Sequence, residues 1–276
     1  MSLRYLITIL IFCPTIVYAN GVLNAVFVSI SPQKQFVEKV GGDFVKVQVM
    51  LPPGQTPETF SPTPKLLTEL SGAQLYFQIG VPFETHWFDA ISSTNQNMRI
   101  VKCCDQLLKV SHQTDEHDLH IWSSPMYVQQ LIAMIRDELI MIDPVHQSVY
   151  EANYQAYLKE LTDLDITIHD MFADRRTDYF IASHAAWGYF ADAYGLQQIA
   201  LEKNGKESGP RALASMINLA KQEQIRTLFV QEQYKTPFIN SLARELDADI
   251  VVLDPLSEDY LTNMLTIARQ IYDAVR

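Results

Sequence analysis

The chain has 276 residues, 48% hydrophobic and 19% charged, with a formal net charge of -11. This is globular composition, long enough for two domains. The acidic balance and the lack of any basic run argue against nucleic acid as a partner.

The first twenty residues read MSLRYLITILIFCPTIVYAN. Arg4 supplies a positive start, Leu6 to Phe12 are mostly apolar, and Val17-Tyr18-Ala19 has the small-x-small pattern of a cleavage site. Residues 1–19 are expected to be a secretory signal peptide, too short to span a bilayer comfortably. Phe12 before Cys13 is bulkier than the small residue expected before a lipidated cysteine. The expectation is therefore a free periplasmic protein. Cys103 and Cys104 then remain. They are adjacent, too close for a loop-closing disulfide, and lack the spacing of a thiolate metal site. They either form a strained vicinal ring, stay reduced or pack as buried residues, and packing is the first expectation.

Next come four apolar runs, VLNAVFVSI (22–30), VKVQVML (45–51), AQLYFQIG (73–80) and MRIVKCC (98–104). Between them PQKQFVEKV, TPKLLTEL and PFETHWFDAI are apolar at helical spacing. A β-α-β-α series predicts a mainly parallel sheet flanked by helices. From Asp143-Pro144 to Asp174 there is no glycine and no further proline. Tyr154, Leu158, Leu161, Leu164, Ile168 and Met171 recur every three or four residues. This predicts one helix of roughly 30 residues, on the order of 45 Å, acting as a strut. The alternation then resumes with TDYFIASH (177–184), QQIAL (197–201), TLFVQEQ (227–233) and ADIVVLD (248–254). Helical patterns separate and follow these runs. The expected plan is an α/β lobe over 20–142, a linking helix over 143–174 and a second α/β lobe over 175–276.

Ligands of open parallel sheets bind at the carboxyl ends of strands. Glu58 lies in PPGQTPETFSP after VKVQVML. His112, His117 and His120 follow MRIVKCC. His184 ends TDYFIASH, and Asp254 ends ADIVVLD. Imidazole and carboxylate together suit a divalent transition metal. Taken singly, a strand-end histidine is an ordinary hydrogen-bonded side chain, and Asp before Pro is a common turn or cap. No H-E-x-x-H, C-x-x-C, P-loop, G-x-G-x-x-G or G-x-S-x-G motif is present.

Five stretches carry a resemblance: PPGQTPETFSPTPKLLTELSGAQLYFQIGVPFE, HIWSSP, DPVHQSVYEANYQAYLKELTDLD, SHAAWGYFADAYGL, and LDPL before DYLTNML. Over essentially the whole chain beyond residue 19, the sequence resembles the substrate-binding proteins of bacterial zinc and manganese ABC importers. The resemblance implies two α/β lobes joined by one long helix, with the metal in the interlobe cleft. It implies His120, His184 and Asp254 as ligands. At the fourth position most relatives have His after the proline of PETF, and this chain has Glu58. Glu58 either ligates directly or leaves its place to water. His at position 184 leans towards zinc, since manganese relatives typically carry Glu there.

The implied role is carriage of zinc, with manganese or iron as alternative cargo, to a membrane permease, and no catalysis. Two carboxylates make the set harder and more tolerant of manganese, while zinc stays ahead in the general affinity order. A zinc-dependent hydrolase is the competing reading, but no general base is evident. Nothing in the sequence calls for an oligomer. SHQTDEHDLH resembles a shortened histidine-rich loop, so His112 and His117 are either weak metal collectors or part of a solvated acidic loop. His86, His146 and His169 are expected at the surface or in packing. Trp122 and Trp187 are expected to wall the cleft, and Gln231, Glu232 and Gln233 to orient a histidine.

Overall fold

A computed structural model describes residues 23–103, 118–203, 206–207 and 209–276. The expected signal peptide, His112, His117 and Cys104 lie outside the described residues.

The first half runs β1 (Leu23–Val28), α1 (Ser31–Gly41), β2 (Val45–Val49), α2 (Pro64–Leu70), β3 (Leu75–Gln78), α3 (Pro82–His86), α4 (Phe88–Thr94), β4 (Arg99–Lys102) and α5 (Pro125–Ile142). After α6 (Gln147–Met171) come β5 (Tyr179–His184), α7 (Gly188–Tyr194), β6 (Gln197–Lys203), β7 (Lys206–Glu207) and α8 (Pro210–Gln222). They are followed by β8 (Thr227–Val230), α9 (Pro237–Leu246), β9 (Asp249–Val252) and α10 (Tyr260–Val275). Many of the helices open with proline in the first turn, where its missing N–H would be unpaired anyway. Thr63 and Thr236 cap α2 and α9 through their side chains. None of the described helices is long and apolar enough to cross a membrane.

The first sheet has the order β2-β1-β3-β4 and is parallel throughout. The second has the order β7-β6-β5-β8-β9, parallel except for the short β6–β7 hairpin. Without β7 the two sheets share one winding: second strand, first, third, fourth. Each therefore has a switch point between its first and third strands, where loops at the carboxyl ends diverge and leave a crevice.

The expected helix over 143–174 is shorter. Asp143 precedes proline, which disfavours helical backbone there, and it sits at φ -133° and ψ 74°. The chain makes a 3-10 turn at 144–146 before α6 begins. Asp143 Oδ2 accepts hydrogen bonds from His146 Nδ1 (2.6 Å) and Tyr150 (2.7 Å), and His146 stacks on Phe44. The 25 residues of α6 span about 37 Å. It is not a free strut. It lies along α5, which the expected elements did not include, and also touches α1 and α10. Tyr150, Tyr157, Leu161, Leu164 and Ile168 are its buried face. One apolar cluster runs from the first sheet through α5, α6 and α10 to the near side of the second sheet. A smaller cluster lies under α8 and α9. The run PFETHWFDAI forms two short helices rather than one, α3 and α4, meeting at Trp87.

Candidate metal centre

Glu58 stands on the loop after β2. Gly54 turns that loop with φ +81°, a conformation that favours glycine. The Thr59 and Phe60 amides donate to the Thr56 carbonyl, and the buried Phe60 ring meets Phe83 edge to face at 5.0 Å. Phe60 thus anchors the loop two residues beyond Glu58. Glu58 Oε2 is buried and has no hydrogen-bond partner. An orphaned carboxylate oxygen is costly unless something cationic or donating meets it.

His120 precedes a 3-10 turn over Ile121–Ser123. Asp118 Oδ1 accepts from both its backbone N–H and its Nδ1, each at 2.9 Å. His184 ends β5 and is 4% exposed. Its Nδ1 donates to Glu202 Oε2 at 2.5 Å. Tyr234 lies flat against the same ring, 4.8 Å between centroids and 16° between planes.

The two imidazoles converge. His120 Nε2 and His184 Nε2 are 3.3 Å apart, and Glu58 Oε1 is 3.7 Å from His184 Nε2. One ligand atom from each of the three residues falls within 4.8 Å of the others. With both Nδ1 atoms donating to carboxylates, each neutral ring turns an Nε2 lone pair inward. Two lone pairs face to face repel unless a cation lies between them. Two zinc–nitrogen bonds at a tetrahedral angle would set their nitrogens ~3.3 Å apart. The donors fit such an ion. The cavity is lined by Glu58, His120, Trp122, His184, Gln231 and Pro255, among others. The space it encloses, about 10 Å³, has room for one ion or water.

Charge points the same way. Glu58, Asp118 and Glu202 surround two imidazoles, leaving negative charge for a cation to offset. Burial alone would lower the His120 pKa. The hydrogen bond to Asp118, with the charges of Asp118, Glu58 and Glu202, outweighs burial and raises it. Burial, with Glu58 and Glu202 adding, holds the Tyr234 phenol above its ordinary range.

Of the four expected ligands, Glu58, His120 and His184 come together, and Asp254 does not join them. Asp254 is exposed, and its Oδ1 accepts from the Leu256 amide at 2.8 Å, a local turn that holds the carboxylate on its own backbone. Its neighbours Pro255 and Leu256 do line the cavity. Trp122 Nε1 donates to the Pro255 carbonyl at 2.9 Å, so Trp122 walls the site and also ties that loop down. Trp187 is buried in the core instead. Gln231 and Gln233 line the cavity, whereas Glu232 pairs with Lys235. The Nδ1 atoms of His184 and His120 meet Glu202 and Asp118, neither of which the sequence reading singles out as a partner of either ring. A sign was present: Asp118 lies two residues before His120, and Glu202 closes the strand-like run QQIALE. His86 and His169 are exposed, and His146 is in packing.

A family profile described as the periplasmic component A of a zinc-uptake complex, ZnuA, matches residues 26–274. The zinc-binding lipoprotein AdcA of Streptococcus pneumoniae is 26% identical over 284 residues, covering 96% of this chain and 56% of its own. The chain thus spans little more than half the length of that relative. The manganese-binding lipoprotein MntA of Halalkalibacterium halodurans is 25% identical over 221 residues, 78% of this chain and 73% of its own. A crystal structure of a ZnuA deletion mutant with zinc bound matches with a TM-score of 0.87 and 34% identity, over 92% of this chain and 98% of that one. Since the profile spans nearly all of the described chain, the chain belongs to the ZnuA family of periplasmic zinc-uptake components.

Proposed function

We propose that the chain captures one divalent transition metal, zinc first, and hands it to the permease of an ABC importer. The observation that carries this reading is the meeting of His120 Nε2, His184 Nε2 and Glu58 Oε1 in a cavity with room for one ion. The ion is cargo, and a zinc-uptake component is a carrier rather than an enzyme. Manganese is the second reading, supported by the carboxylate in the donor set and by a relative named for manganese.

In this proposal Glu58, His120 and His184 are direct ligands. Asp254 supplies the fourth once its carboxylate leaves the Leu256 amide. The lobes are residues 20–142 and 175–276, bridged by 143–174. The protein acts as a monomer in the periplasm after loss of residues 1–19. The experiment is competitive zinc and manganese titration of the purified chain beside Glu58→Ala, His184→Ala and Asp254→Ala. One tight equivalent of zinc, weakened in all three, supports the four-ligand carrier. Zinc weakened only in His184→Ala removes Glu58 and Asp254 from the ligand set. No tight metal in the unaltered chain overturns the reading.

A further inference from the structure

Glu202 and His184 are register partners on the neighbouring parallel strands β6 and β5. Side chains at paired positions of adjacent strands leave the same face, roughly 4.8 Å apart along the hydrogen-bonding direction. Here they meet as Nδ1···Oε2 at 2.5 Å, with side-chain exposures of 4% for His184 and 11% for Glu202. A carboxylate this far from water is retained at a cost unless a donor meets it. Tyr234 lies flat on the same imidazole at 4.8 Å. The hydrogen bond fixes the ring's rotation, and the stack fixes its plane.

The tautomer follows. A free imidazole side chain in water carries its proton more often on Nε2. In that form Nε2 could not donate electrons to a cation, and Nδ1 would face Glu202 with a lone pair against a carboxylate. We infer that Glu202 is a positioning residue for metal capture: it holds His184 as the Nδ1–H tautomer and keeps Nε2 free as the donor. This rests on the carrier reading above, and it adds the residue that prepares the ligand before the ion arrives. His120 reaches the same state through Asp118, two residues away on its own backbone. Glu202 does it across a sheet, so the pairing depends on the β5–β6 register. Carboxylate partners of ligating histidines are generally worth about 10–100-fold in metal affinity.

The test uses the full chain labelled with ¹⁵N-histidine, metal-free at pH 8.5, with the His184 signals identified through His184→Gln. Long-range ¹H–¹⁵N spectra read the tautomer, and titration against a chelator reads zinc affinity. The unaltered chain should show His184 as Nδ1–H. Glu202→Gln retains an acceptor oxygen, so it should keep that tautomer and lose about tenfold in zinc affinity, because the negative charge is gone. Glu202→Ala should move His184 towards Nε2–H and lose nearer 100-fold. An unshifted tautomer in Glu202→Ala overturns the inference. So does zinc affinity within about twofold of the unaltered chain in Glu202→Gln, which preserves side-chain shape and serves if the alanine variant does not fold. A tautomer shift in Glu202→Ala, with no tight zinc in the unaltered chain, would support the positioning and overturn the carrier reading instead.

Discussion

His120 and His184 meet Nε2 to Nε2 at 3.3 Å although 64 residues separate them. One follows the first sheet and the other ends the first strand of the second. Their other ring nitrogens are each held by a carboxylate. The arrangement poses two donors for an ion of tetrahedral preference, and four predictions extend from it and from its surroundings.

Glu58 should be tunable. Its Oε1 is 3.7 Å from His184 Nε2, and its Oε2 is buried without a partner. Glu58→Ala should weaken both zinc and manganese by about tenfold or more, ~1.4 kcal/mol. Glu58→His makes the donor set softer and should raise the zinc-to-manganese preference. Competition titrations with both ions check this. Equal metal binding in all three proteins would place Glu58 outside the coordination sphere.

Acid should have opposite effects on the metal-free and metal-loaded protein. The folded His120 pKa is raised above 6.5 by Asp118 and the neighbouring carboxylates, against the effect of burial. In the metal-free chain the resulting stabilisation is complete below the unfolded value of about 6.5, and it is lost as pH rises through the higher folded value. Metal must displace that proton, so affinity falls as pH drops, starting above the ordinary imidazole range. Thermal melts and zinc titrations between pH 5.5 and 8.5 would read both. In Asp118→Asn the loss of zinc affinity should begin at a lower pH.

Trp122 should control the loop that carries Asp254. Its indole N–H to the Pro255 carbonyl is buried and links the two halves of the chain. Trp122→Phe leaves that carbonyl unpaired and should cost about 1–3 kcal/mol. The Leu256 amide, held by Asp254 Oδ1, should exchange with deuterium faster. Unchanged exchange would mean the turn holds itself.

Cys103 should be chemically silent in the folded protein. It is 2% exposed, and burial, with the charges of Glu84 and Glu138 adding, pushes its thiol pKa well up. The thiolate is the reactive form. In a Cys104→Ser background, alkylation at pH 8 should reach Cys103 only after denaturant is added, as read by peptide mass spectrometry. Rapid native labelling would show that its surroundings open.

Much of this architecture is legible without coordinates because it is local. Period-two and apolar runs mark β1 to β4 and the main strands of the second sheet. Prolines mark helix starts. The parallel sheets follow from strand–helix alternation. The helix α5 is equally legible in PMYVQQLIAMIRDELIMI, where Val128, Leu131, Ile132, Ile135 and Leu139 fall at helical spacing, and it is missing from the expected elements. The end of α5 at Ile142 was also written in the sequence, in Asp143-Pro144, because a residue before proline resists helical backbone.

Legible from the residues alone are most of the strands and helices, the two-sheet class, and the loop and the strand end that offer His120 and His184. Those depend on neighbours within a few residues. Long-range packing sets Glu202 against His184, stacks Tyr234 on the same ring and beds α6 along α5. Each of these depends on strand register and on packing between distant segments, where a shift of one residue reverses the face a side chain presents.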